Sequence, residues 1–259
     1  MLAFCLLSAV ARADSLNWHF QGLAPQHDVL FDVLDEQKLF ARMSETMRQH
    51  LRLTKPIHVV FYPGAETFFD PQRDELFIPL SVLRRMRFDL AQRFPEQNEV
   101  QSAVYLVSVE YMLWYQLGRV LIHQYDIPSG VDAERSIDAL ATLVMLDSRQ
   151  SLNHLYLLDA AEVLLLNMPS FQLWGDLSGR TQEEQREARY RLAVCLVLGE
   201  DHSELTQPLE DLGWSGDALK RCQQRLQLSR RAWSGLLRTQ LSEWSSWRHW
   251  GLESKSFKP

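Results

Sequence analysis

The stretch from Ala103 to Ile122 constrains this chain more than any other. It is apolar on every side, long enough to cross a bilayer, and yet carries Glu110, Gln116 and Arg119. Charged side chains are expensive in hydrocarbon, so a membrane span is a poor fit. A surface helix fits no better, because such a helix keeps one polar face. The remaining solution is a helix enclosed by other elements, its few polar side chains met by partners. No other stretch competes as a span, so the mature chain is expected to have none.

A body around that helix needs a large core. The chain has 259 residues, 46% of them hydrophobic, which suffices for one domain of good size. The formal charge of -6 and the lack of basic blocks argue against a nucleic-acid partner.

Helical spacing marks most of the chain. Helices are expected over 36–53, 82–93, 99–125, 132–147, 152–167, 180–198 and 217–247, the last broken near Ser234 and Gly235. Residues 16–34 read as mixed and partly extended. Ile57 to Tyr62 (IHVVFY), between two prolines, reads as a strand. Thr67 to Pro79 reads as a hairpin whose turn opens at Asp70-Pro71. No repeat or long linker divides the chain. The expectation is one α+β domain over 14–259, a small antiparallel sheet or hairpin followed by a predominantly helical body.

Residues 1–13 look like a signal peptide. Leu2 to Val10 is apolar and Ala11-Arg12-Ala13 is a small-x-small cleavage pattern, placing the cut before Asp14. The expected location is the periplasm or outside the cell. Cys5 leaves with the peptide, so Cys195 and Cys222 remain as an even pair in an oxidising compartment. Their disulfide would close a loop of roughly 27 residues, worth about 3 kcal/mol.

Read residue by residue, the chain offers no catalytic site. It has no phosphate-binding glycine loop and no local nucleophile–base constellation. Its histidines never fall at the i, i+4 spacing that puts two imidazoles on one helix face.

Residues 114–140 (WYQLGRVLIHQYDIPSGVDAERSIDAL) nevertheless resemble a known pattern. In an uncharacterised bacterial family of proposed zincin-like metallopeptidases, a His-Glu-Leu-Gly-His helix runs to an apolar end, a proline, and an acidic segment opening another helix. Leu117, Gly118, Leu121, Ile122, Pro128, Glu134 and Asp138 stand at matching places. Lys55 to Leu80 is similar to the family's strand and Phe-Tyr-Asp-Pro hairpin, with Phe68-Phe69-Asp70-Pro71 in register. Arg189 to Gly199 and Ala218 to Leu237 are similar to its two cysteine-bearing helices. The resemblance covers most of residues 30–240 and implies a zincin-like fold.

The departures fall at the site. Tyr115, Gln116 and Arg119 stand where two zinc-binding histidines and the catalytic glutamate belong. The family's residues around the hairpin are replaced by Glu66, Pro79 and Ser81. Its Asp-Glu-His-Ser stretch survives at best as Asp176 to Ser178. A zincin needs neutral imidazoles, a third ligand and a glutamate to deprotonate metal-bound water. Tyr115 would ligate only after losing a phenolic proton, of pKa about 10 in water. Gln116 accepts no proton, and Arg119 is a fixed cation. No cofactor is therefore expected, with zinc required only under an active alternative.

The resemblance implies that Glu134 and Asp138 are relics of the third-ligand region. Both also suit a plain helix first turn, where carboxylates favour the macrodipole. A buried Arg119 would find in them its nearest partners. His123 lies one turn beyond Arg119 and could join a shifted site, or be an ordinary half-buried histidine. Gly118 would permit close approach of the hairpin. Trp233, Trp244, Trp247 and Trp250 could form a recognition face or lie in the core. The leading expectation is an exported, non-catalytic member that binds a peptide or protein in the old cleft. An active metallopeptidase with unusual ligands and a structural envelope protein are the alternatives.

Overall fold

The structure is a computed structural model that describes residues 16–22, 29–128, 133–148, 154–167, 181–200 and 216–250. The expected signal peptide and its cleavage site lie outside them, as does Asp176 to Ser178.

Strand β1 (Leu16–Phe20) leads to helices α1 (Val29–Glu36) and α2 (Leu39–His50), then β2 (Ile57–Tyr62), β3 (Phe68–Asp70) and β4 (Glu75–Pro79). Helices α3 (Leu80–Arg93), α4 (Asn98–Gln124), α5 (Ala133–Ser148), α6 (His154–Glu162), α7 (Gln182–Gly199) and α8 (Gly216–Leu236) follow. A short π-helical stretch, Val163–Asn167, continues α6, and a single 3-10 turn, Ser246–His249, follows α8. The α+β reading with a mainly helical body holds.

The sheet departs from expectation in strand direction. Its order is β1-β2-β4-β3, and only β3 with β4 is antiparallel. The pairs β1–β2 and β2–β4 are parallel. A parallel neighbour needs a crossover, and α1 with α2 supply one between β1 and β2. The hairpin turn forms as its residues dictate. The Asp70 carboxylate accepts from the Gln72 amide at 2.9 Å and from Arg73 Nε at 2.8 Å, and Asp74 turns the chain at φ 53°.

One sheet face packs aromatic rings against α1 and α2. Phe61 stacks on Phe20 at 5.3 Å and meets Phe31 edge-on at 5.5 Å. Helix α4 runs through the body and is buried on all sides from Val104 to Gly118. Glu110, within this run, is met by Arg42 of α2 at 3.1 Å. This is the partner that an enclosed carboxylate requires.

Trp233, Trp247 and Trp250 are core residues, whereas Trp244 is 91% exposed. The disulfide Cys195–Cys222 joins α7 to α8 with Cα atoms 4.9 Å apart.

Candidate functional site

Helix α4 presents Tyr111, Tyr115, Gly118 and Arg119 at spacings of three and four, which align on one helical face. Gly118 is where α5 comes closest. A Cβ added there would lie 2.9 Å from Ile137 Cγ2 and 3.5 Å from Leu140 Cδ2. The expected approach of the hairpin is therefore corrected: the glycine admits α5. The hairpin instead meets the last turn of α4. There Phe69 packs edge-on to the His123 ring at 5.3 Å, and Gln124 Nε2 donates to Asp74 Oδ1 at 3.3 Å. His123 is exposed.

The close approach of α5 brings Asp138, fully buried, to the Tyr111–Tyr115 face. The counter-charge comes from α7. Arg189 is 2% exposed and grips Asp138 with both arms, Nε to Oδ2 at 2.5 Å and Nη2 to Oδ1 at 2.7 Å. Tyr111 Oη donates a long bond to Oδ1 at 3.5 Å, and Thr142 Oγ1 donates to the Asp138 carbonyl at 2.8 Å. Burial foremost, then the Asp138 charge, pushes the Tyr111 phenol far above its usual range. It therefore stays a neutral donor.

Two guanidiniums lie over the Tyr115 ring, Arg189 at 4.7 Å and Arg119 at 5.1 Å from its centroid. Arg119 Nη2 also donates to Tyr115 Oη at 3.2 Å. Burial lowers the Arg119 pKa to about 10. Repulsion from Arg189 adds to that fall, and the attraction of Asp138 opposes it.

The structure brings Tyr115, Arg119 and Asp138 into one cluster, with Gln116 buried beside them on α4. The expected Arg119–Asp138 pair is corrected, because Asp138 is held by Arg189. The Glu134 side chain lies outside the described residues. Arg189 was missed at the sequence level, though a signal existed. It sits at i-4, i-7 and i-8 from Ala193, Leu196 and Val197, on the buried stripe of α7. An arginine on an apolar stripe needs an anion. The Thr181–Glu184 capping box, with bonds of 2.8 and 3.2 Å, sets the start of that helix.

These residues do not fit a zinc ion. Both Asp138 oxygens already accept from a guanidinium, and the Tyr115 hydroxyl accepts from another. Two fixed cations stand where a dication would have to approach. Among the described residues, no three His, Cys, Asp or Glu side chains are placed to hold a metal.

A small four-stranded sheet set before a mainly helical body, built round one enclosed helix, makes this an α+β protein. The profile of the DUF4344 family, described as "Putative metallopeptidase", matches residues 21–237, and the chain belongs to that family. Comparison with curated proteins and with solved structures gave no significant match.

Proposed function

We propose that this chain is an exported, non-catalytic member of the metallopeptidase family that acts by binding a peptide or protein. The observation that carries this reading is the Arg189–Asp138 ion pair packed on Tyr115. A guanidinium takes up Asp138, one of the two carboxylates of the expected third-ligand region, and Gln116 offers no base. The alternative of an active enzyme with unusual ligands would need donors that this cluster does not provide. Export is supported by the Cys195–Cys222 pairing, a bond typical of oxidising compartments.

The test is metal analysis of the mature chain beside a peptidase assay. The expected result is substoichiometric zinc and no chelator-sensitive hydrolysis. One tightly held zinc per chain, with hydrolysis abolished by chelation, would overturn the reading. Export is tested separately by N-terminal sequencing, with Asp14 as the expected first residue.

A further inference from the structure

The charge of the chain is unevenly placed. Residues 216–250 carry seven arginines and lysines against two carboxylates, in a chain whose net charge is -6. Helix α8 itself holds one carboxylate, Asp217, in its first turn. Its exposed residues include Arg221 and Arg225, with Arg238 in the turn just beyond it, none with an ion-pair partner among the described residues, and two large apolar side chains, Leu228 (61% exposed) and Leu236 (45%).

A cleft lies on each flank of this helix. The first, about 440 Å³, has three alanines in its lining, Ala139, Ala188 and Ala232, with one arginine from each of three helices, Arg135, Arg191 and Arg225. The second, about 320 Å³, is lined by Arg231, Arg238, Arg248 and Trp250. The Trp250 indole Nε1 is buried and has no hydrogen-bond partner among the described residues.

We propose that the α8 face, with its two flanking clefts, binds an acidic peptide segment containing apolar residues. Arginines take carboxylates in bidentate fashion, and the exposed leucines supply the apolar contact. The helix rises about 16 Å from Arg225 to its end at Leu236, at 1.5 Å per residue, and Arg238 follows in the turn just beyond it. An extended peptide covers that span in about six residues at about 3.3 Å each. Two acidic groups that far apart would reach both ends together. A single small anion could reach only one. A nucleic acid would use the arginines and leave the leucines in water.

This inference rests on the reading that the chain binds rather than cuts. The two fail separately: zinc content and hydrolysis judge that reading, and a titration judges the surface. The probe is a labelled eight-residue peptide with paired glutamates at each end and leucine between, titrated into the mature chain by fluorescence anisotropy. A glutamine-for-glutamate peptide is the control. The expected result is saturable, salt-sensitive binding of the glutamate peptide alone. Arg225→Gln and Arg238→Gln should each weaken it at least about fivefold. Arg48→Gln, whose partner Glu45 lies with it on α2, should leave it unchanged. No saturable binding, equal binding of the control, or an unchanged affinity in the Arg225→Gln/Arg238→Gln double variant would overturn the proposal. So would phosphatidylglycerol vesicles binding through these arginines while the peptide does not.

Discussion

Replacing Arg189 by Met tests the cluster most directly. The change keeps a long apolar stem but removes both bonds to Asp138 and the cation over Tyr115. Asp138 has no exposed surface, so water cannot replace the lost partner. Removing one member of such a pair costs about 3 to 5 kcal/mol, because the other charge is stranded. The Arg119 charge, which attracts Asp138 from a distance, offsets a small part of this. The expected loss is therefore about 3 kcal/mol, the lower end of that range. Asp138→Asn should cost a comparable amount by stranding Arg189. The double variant strands neither member of the pair and should be more stable than either single one, with a coupling energy of about 2 kcal/mol or more. The assay is urea unfolding followed by tryptophan fluorescence, with the disulfide intact. A single Arg189→Met loss below about 1 kcal/mol, or a coupling near zero, would refute the argument. If the single variant fails to fold, the double variant still decides, since it should fold.

Three further outcomes are expected. Replacing Cys195 and Cys222 by Ser should lower stability by about 3 to 4 kcal/mol, the chain-entropy range for a sequence separation of 27, read by the same unfolding assay. Gly118→Ala gains about 1 kcal/mol in helix propensity, but its Cβ meets Ile137 at 2.9 Å. Overpacking of about 2 kcal/mol should win, and increased stability would show that α5 can retreat. The Arg119 pKa is lowered to about 10 in the fold, well below the usual guanidinium range, so its charged form is disfavoured there. Wild type should therefore gain stability relative to Arg119→Met as pH rises through about 10, with a flat difference from pH 6 to 8; a slope in the neutral range would contradict this.

What the sequence revealed depended on how local each cause was. The enclosed helix α4 was legible because apolar residues on every side leave few other solutions. The β3–β4 hairpin was legible from Asp70-Pro71 alone. The parallel pairing of β1 with β2 was not, because Leu16–Phe20 and Ile57–Tyr62 carry no local mark of their relative direction. That direction follows from α1 and α2 crossing between them. At the site, Tyr115, Gln116 and Arg119 could be read from one helix. Arg189 arrives from 51 residues beyond Asp138 through the packing of α7 on α5. A reading confined to motif positions offered Asp138 to Arg119, whereas Arg189 holds it.

The same geometry sets what it would take to install a metal site. Tyr115→His, Gln116→Glu and Arg119→His together would place zinc-helix ligand spacing on α4 and remove one cation. They leave Arg189 gripping Asp138, so the neighbouring carboxylate stays neutralised toward any dication. At about 5 Å and an effective dielectric of about 20, a full charge on Asp138 would attract a dication by roughly 7 kcal/mol. With Arg189 bound, most of that attraction is cancelled. The triple variant should therefore bind zinc weakly by calorimetry. Adding Arg189→Met should tighten binding at least tenfold, about 1.4 kcal/mol, while making the apo fold less stable and the loaded fold more so. Tight zinc binding by the triple variant, unchanged when Arg189 is also replaced, would show that this guanidinium does not guard the site.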